Sequence, residues 1–407
     1  MKNKSIALAV AATLGGLAVM PASYAGGVTY RDGDKFMKLG GRVQMQYHYS
    51  DPDKGKNDHE VILRRLRPYI EGSVHPDWKG KFQWDMGEAT DGNEIAIKDA
   101  YMEYTGVKNL KVYLGNAYFP FSREDITSSK HQQLVERTFV GDHNYGSPER
   151  NVGIHLHGHN DNKKITWRAS FAQAAIDPSN KKLDFDTPVN KNSDFNLGWI
   201  YGGRVSYHPF GFLKMSQGDF KREQKATISL AAYKWSNNDD VQNLSSSTST
   251  TVDTTAAGCP GACPVTSVTT TSASTSDVDD VTGYEISAAY RNMGISIDAE
   301  YNRFDATLKN GTVTSGIYKK GDTTLENWSV EGGYMVIPSK LEIVAGYQSQ
   351  DADGYDDQWT RASVGVNWFV AKQDIKYQLT YRQSSNVNGV SKNADENELF
   401  AQAQYVF

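Results

Sequence analysis

Beyond about residue 35, apolar and polar side chains alternate one by one through much of the chain. They do so in runs of about ten residues broken by Gly, Asn, Asp and Ser. In WKGKFQWDMG, Trp78, Phe82, Trp84 and Met86 share a parity with Gly80, opposite Lys79, Lys81, Gln83 and Asp85. In KKITWRASFAQ, Ile165, Trp167, Ala169 and Phe171 oppose Thr166, Arg168 and Ser170. The closing stretch LFAQAQYVF puts Leu399, Ala401, Ala403 and Tyr405 on one side and Gln402 and Gln404 on the other. Successive side chains leave opposite faces of a strand, so a period of two is strand geometry. Helical spacing is hard to find, and the expected fold class is all-β.

Alternation also says what each face meets. Only 39% of the 407 residues are hydrophobic, and no segment outside the amino terminus approaches the roughly 18 apolar residues a spanning helix needs. If this chain enters a membrane, strands must carry it there. A closed antiparallel sheet pairs every backbone N–H and C=O internally, with lipid on one face and water on the other. Segment counting gives about sixteen strands, starting near residues 36, 60, 78, 94, 110, 150, 163, 199, 224, 281, 293, 326, 340, 359, 373 and 396. Aromatic residues near segment ends, such as Tyr284 and Tyr290 or Trp328 and Tyr334, suit two membrane interfaces.

The first residues carry Lys2 and Lys4, an apolar run from Ile6 to Val19, and small residues at Ser23 and Ala25. This pattern predicts an export signal over residues 1–25, followed by a β-barrel over 26–407. Its removal leaves 41 basic against 48 acidic side chains, which argues against a nucleic-acid partner. Cys259 and Cys263, in CPGAC, are expected to form a local disulfide in an oxidising compartment, and no His lies close enough in sequence to suggest a metal site.

Connections alternate between short ones, such as HPDW (75–78), RNMG (291–294) and IPSK (337–340), and longer polar ones. One breaks the rule: FGFLKMSQGDFKREQ, residues 210–224, is too long for a tight turn. Of the long connections, residues 118–149 mix apolar and charged residues and suit a loop folded inward. Residues 237–280 are Ser/Thr-rich and suit a solvated external loop.

The motifs RRLRPYIEG (64–72), IKDAYMEYTG (97–106), YLGNAYFPFSREDITSSKHQQLVERTF (113–139) and RNVGIHLHG (150–158) resemble the phosphate-selective porins of the O and P type. The resemblance implies a trimeric, sixteen-stranded barrel in the bacterial outer membrane, with the third long loop, 118–149, narrowing the pore. It implies that Arg65, Arg67, Arg123, Lys130, Arg137 and Arg150 are candidates to face the path of an anion such as phosphate.

Strand parity adds Lys79, Lys81 and Lys111 to the candidate anion-facing set, with Arg168, Arg204, Arg291, Arg361, Lys376 and Arg382 on the same face. Arrays of Arg and Lys attract anions and pass them between weak sites. Acidic Glu71, Asp85, Asp99, Glu103, Glu285, Asp298, Glu300, Glu331 and Glu342 share that face, and cross-strand ion pairs bracing the wall are the competing reading. Arg64, of opposite parity to Arg65, is expected to point outward near the rim. His155, His157 and His159 are expected to form a polar lumen wall rather than a metal site. No GxSxG or HExxH occurs, and the neighbouring Glu124 and Asp125 would diverge on an extended chain, so no enzyme activity and no cofactor are expected. The expected function is passive diffusion of anions. The alternatives are a general, weakly selective porin and an exported soluble β-protein that binds sugars.

Overall fold

The computed structural model describes residues 27–87, 95–190, 196–240, 248–252, 267–271 and 276–407. The expected signal and the cysteines Cys259 and Cys263 lie outside the described residues. Strands come in the order β1 (Val28–Asp32), β2 (Lys35–Gly40), β3 (Arg42–Pro52), β4 (Asp58–Leu66), β5 (Tyr69–His75), β6 (Trp78–Asp85), β7 (Ala96–Tyr104) and β8 (Leu110–Tyr118). After a long connection follow β9 (Arg150–His159), β10 (Ile165–Asp177), β11 (Asp184–Asp186), β12 (Leu197–Tyr207) and β13 (Lys225–Asn237). Then come the small pair β14 (Thr248–Val252) and β15 (Ser267–Thr271), followed by β16 (Val278–Asn292), β17 (Ile295–Leu308) and β18 (Asp322–Ile337). The chain ends with β19 (Leu341–Ala352), β20 (Trp359–Ala371), β21 (Ile375–Ser385) and β22 (Glu396–Val406). The sole α-helical turn among the described residues is α1 (Arg123–Ile126).

Apart from β14 and β15, all of these strands belong to one antiparallel sheet of 20 strands. Several short ones are interruptions of a single ribbon. Only Gly41 separates β2 from β3, and Arg67 with Pro68 separate β4 from β5; proline has no N–H to give to a ladder. Neighbours follow sequence order, and β22 pairs with β3 over Glu396↔Pro52 to Val406↔Arg42. Phe407 N donates to Gly41 O at 2.9 Å and Gly41 N to Phe407 O at 2.8 Å, extending this pairing past the ends of both strands.

The two faces sort as the alternation requires. Ser229, Ser287, Glu300, Ser329, Gln348, Arg361 and Ser384 form one continuous cross-strand row. All of them are buried. One residue along, Leu230, Ile286, Tyr301 and Trp328 form the parallel row, and all are exposed. A soluble protein buries its apolar row and wets its polar one; here the assignment is reversed. A cation placed mid-strand in the apolar row is expected to be expelled by lipid. Ile286→Lys should cost about 2–4 kcal/mol, measured as loss of the folded band in a heat-modifiability series on a gel.

Connections between β5 and β6, β16 and β17, β18 and β19, and β20 and β21 are short turns at one end of the sheet. The long connection 119–149 enters at the other end and lies against the polar face. Its Phe119, Phe121, Leu134, Val135, Phe139 and Val140 are buried. Phe119 and Phe121 pack on Tyr233, and Phe121 also on Phe304, in the main cluster of buried apolar side chains. Apolar residues scattered among charges therefore fold this connection onto the wall rather than into solvent.

Candidate functional site

The connection 119–149 satisfies part of its backbone through its own turns, such as Thr127 N to Arg123 O at 3.1 Å and His131 N to Ser128 O at 2.7 Å, and the wall satisfies much of the rest. Asn302 donates to Val140 O at 3.0 Å, Asn327 to Tyr145 O at 2.8 Å, Asn367 to Gln133 O at 2.9 Å and Lys376 to Gln132 O at 2.8 Å. In the opposite sense, Phe139 N donates to Gln348 Oε1 at 2.8 Å, Glu124 N to Glu300 Oε2 at 3.0 Å and Val135 N to Thr380 Oγ1 at 3.3 Å. Polar wall residues of β17 to β21 are thus loop ligands. Lys376, one of the parity-selected cations, holds a loop carbonyl.

Two candidate cations of the loop are bound into the same framework. Arg123 sits in α1, which Ser122 caps by accepting from Asp125 N at 3.0 Å. The Arg123 Nε donates to Asp298 Oδ1 at 3.1 Å, and Arg291 reaches the same carboxylate at 2.6 Å. Arg137 donates to Asp125 Oδ1 at 2.9 Å and to the carbonyls of Asp125 and Thr127 at 2.8 and 3.2 Å. Burial pushes the Asp125 carboxyl up, to about 7, even against the pull of Arg137. Both arginines brace the loop.

Across from that packed side, four candidates converge. Arg67, Lys81, Lys130 and Arg150 line one cavity of about 320 Å³ together with Arg42, Tyr69, Glu71, Asp99, Tyr118 and Ser128. Five cations face two carboxylates there. Asp99 is held between Lys81 Nζ at 2.5 Å and Arg150 Nε at 2.8 Å, and Arg67 Nε donates to Asp85 Oδ2 at 2.5 Å. The Arg150 guanidinium lies over the Tyr118 ring at 3.7 Å, which fixes its plane. Arg42 and Lys130 differ from the others: among the described residues, neither makes an ion pair with a carboxylate. Arg42 donates to Ser128 Oγ at 3.2 Å, while its Nε is buried without an acceptor. Burial lowers the Lys130 ammonium below its ordinary value, with Arg42 adding to the effect and Asp374 opposing it. A buried guanidinium N–H of Arg42 lacking an acceptor, beside the half-buried Lys130 on a wall of positive charge, is arranged to receive an anion.

Arg42 escaped the sequence reading, although it shares parity with Gln44 and Gln46 on the polar face. Arg65 lies beside this group, donating to Gln44 Oε1 at 3.3 Å, again with an unpartnered Nε. Lys111 pairs with Glu103 at 2.7 Å and is half exposed, while Lys79 stands opposite Glu103 in the ladder; neither lines the cavity.

Arg64 corrects the parity argument. It does not point outward but donates through Nε and Nη2 to Glu136 of the loop at 2.7 and 3.0 Å. The register between β3 and β4 slips at Gln44/Met45, opposite Arg65 and Leu63, so Arg64 is an extra residue in a β-bulge. A bulge turns consecutive side chains to one face, and counting by twos fails beyond it. Burial alone would raise the Glu136 carboxyl, but the Arg64 and Arg65 guanidinium groups hold it down at about 2.

The cross-strand reading also holds for many charges. Arg204 pairs with Glu285, Arg291 with Asp298 and Arg382 with Glu398. His155 is fully buried, hydrogen-bonded to Ser170 Oγ at 2.8 Å and to Asn151 O at 3.0 Å, and His157 packs on Tyr113 at 4.5 Å. Among the described residues no group of three His, Cys, Asp or Glu could hold a metal ion.

At the end where the loop enters, residues 178–187 clasp its returning limb. Gly146 N donates to Leu183 O at 2.8 Å, Phe185 N to His143 O at 2.9 Å, and His143 Nδ1 pairs with Asp184 at 3.0 Å. Burial would lower the His143 imidazole, but the Asp184 hydrogen bond and the nearby Asp142 raise it from 6.5 to about 9. Because the folded value is the higher, the clasp has its full contribution below about pH 6.5 and loses it as pH rises through about 9. Open-channel current noise is expected to grow over that interval, and His143→Gln should remove the step.

A sheet with an apolar exposed face and a charged buried one, crossed inside by a loop, defines an outer-membrane channel protein. No helix among the described residues is long and apolar enough to cross a membrane. The sequence profile of the phosphate-selective porin O and P family matches residues 37–407, nearly the whole chain, and the protein belongs to that family. It is an outer-membrane porin of a bacterium.

Among solved structures, the anion-selective porin from Comamonas acidovorans covers 92% of this chain and 100% of its own, at 12% identity and a TM-score of 0.59. The in-vitro folded OmpT of Vibrio cholerae in its trimer form covers 92% and 99%, at 13% identity and a TM-score of 0.54. At these identities the likeness is one of fold. An uncharacterized protein of Aquifex aeolicus (strain VF5) is 26% identical over 212 residues, 45% of this chain. The chain spans about half the length of that curated relative, 49%.

Proposed function

We propose that the protein is a passive channel for anions, phosphate or a related oxyanion, through a sixteen-stranded closed barrel. Pairing of β22 with β3 supports closure, and counting β2 with β3 and β4 with β5 as single ribbons, with the short flanking strands β1 and β11 set aside, supports the strand number. The observation that carries the anion preference is the cavity between the inward loop and the β3–β9 wall, where Arg42, Arg67, Lys81, Lys130 and Arg150 face only Glu71 and Asp99.

The mechanism follows from that imbalance. The loop backbone covers the wall carrying Glu285, Glu300 and Glu342, whose oxygens accept from loop N–H groups or loop side chains. Their charge is thereby turned away from the path. An anion entering the free side exchanges its water for charge-assisted hydrogen bonds from Arg42 and Lys130. It then passes along Arg150 and Lys81, whose positive charge is already tempered by Asp99. Partial pairing keeps each station weak, and weak stations release what they bind. Assembly as a trimer, as in the trimer form of Vibrio cholerae OmpT, belongs to the same reading, as does export by the signal over residues 1–25.

The general-porin alternative draws on the paired charges Arg204–Glu285, Arg291–Asp298 and Arg382–Glu398, which leave most of the wall near neutrality. Inorganic phosphate added to protein reconstituted in KCl separates the two. A concentration-dependent fall in chloride current is expected of an oxyanion channel; a current indifferent to phosphate favours the general porin.

A further inference from the structure

The connection between β12 and β13, residues 208–224, leaves the sheet at the end where the other connections are tight turns. It is not a loose excursion. Asp219 accepts from Gly294 N in the β16–β17 turn at 2.8 Å and from Arg222 N at 2.8 Å. Phe220 packs edge-on against Phe369 at 4.8 Å, and Arg291 donates to Ser216 O at 2.8 Å. The segment therefore folds back between the strands instead of trailing away from them.

Gln217 of this segment, 2% exposed, meets the inward loop. Gln217 N donates to His131 O at 3.0 Å, and its Oε1 accepts from Gln133 N at 2.7 Å. Its Nε2 donates to Glu331 at 3.3 Å, and its carbonyl accepts from Gln373 Nε2 at 3.2 Å. Every polar group of one glutamine is thus used to join the loop to β18 and to the β20–β21 turn. The loop side of the joint is the tip of the connection 119–149, at the 3-10 turn Ser129–His131. Consecutive residues of that tip face different spaces: Lys130 lines the basic cavity, and His131 lines a second one of about 570 Å³ together with Phe212, Lys214, Phe220 and Lys372. Two segments entering from opposite ends meet at this point, and the tip is gripped between them.

We propose that residues 208–224 are a buttress that fixes the depth of the inward loop, with Gln217 as its positioning residue, so that channel width is set from both ends. The inference rests on current passing the basic cavity, but not on which ion carries it. Wall side chains also reach the tip, Gln404 donating to Lys130 O at 3.2 Å and Lys376 to Gln132 O at 2.8 Å; Gln217 adds the brace from the short-turn end that resists a shift of the tip in that direction. A tip free to shift moves Lys130 and Ser128 relative to Arg42, and the cavity changes width with it.

The test is single-channel recording in planar bilayers with purified protein that passes the heat-modifiability check. Two variants are compared with the parent: Gln217→Ala, and a chain in which residues 210–222 are replaced by a Gly-Asn turn. Both are expected to raise the open-channel conductance and its noise, the shortened chain more, while the reversal potential in a KCl gradient keeps the parent's sign. Unchanged conductance and noise in both variants would overturn the proposal. So would a collapsed reversal potential at unchanged conductance, which would make the segment a source of charge rather than of position. Should the parent itself show no anion preference, the anion reading fails while the conductance comparison still decides the buttress.

Discussion

Replacing Arg42 and Lys130 together by glutamine should weaken phosphate block of the channel by well over tenfold while leaving the barrel intact. The two side chains have the least to do in the protein itself: Arg42 makes one hydrogen bond to Ser128, and neither makes an ion pair with a carboxylate among the described residues. A hydrogen bond to a charged group contributes about 1.5–3 kcal/mol, so each loss is worth roughly a factor of ten or more in half-blocking concentration. Arg67, Lys81 and Arg150 make poorer test positions, because neutralising any of them strands Asp85 or Asp99. Arg123→Gln and Arg137→Gln provide the contrast. Those arginines face Asp298 and Asp125, so their loss should disturb the loop and the open level more than the phosphate affinity.

Glu285→Ala should be the most destabilising single change in the wall. Its carboxylate accepts from the fully buried Arg204 and also from Arg123 N at 3.3 Å. Removing one partner of a buried ion pair leaves the other charged and unpaired, at a cost of about 3–5 kcal/mol. The unfolding midpoint in detergent, read by heat modifiability, should fall accordingly. Glu285→Ala combined with Arg204→Met should recover most of the loss, since no unpaired charge remains. A midpoint shift close to nothing in the single variant would mean that water reaches Arg204 freely, and that the inner face there is open lumen rather than packed wall.

Much of the fold was legible because a strand's period of two is local, and lipid on one face with polar groups on the other makes it visible in every segment. The row Leu230, Ile286, Tyr301 and Trp328, and its polar neighbour through Ser229, Ser287 and Glu300, follow from alternation plus hairpin register alone. Parity failed where the backbone departed from the pleat. The bulge at Arg64 has no sequence mark, and a single extra residue reverses the side of everything counted past it.

The site was legible in part. Lys81 came from strand parity and Arg67, Arg150 and Lys130 from resemblance, and the cavity unites them; Arg42 could have been found by extending the parity of Gln44 and Gln46 one step. Loop cations carry no periodicity, so nothing in the string separates Lys130, which lines the cavity, from Arg137, which is tied to its own loop's carbonyls. The inward course of residues 208–224 was hidden for the same reason: excess length is visible in a sequence, direction is not.

On the proposed function, fixed positive charge on the free side of the lumen decides which ions pass. Its most direct measurement is the zero-current potential of the reconstituted channel in a KCl gradient. The expected sign is that set by chloride crossing faster than potassium, with a smaller potential for the Arg42→Gln/Lys130→Gln variant. A potential of zero, or one set by potassium, would contradict it.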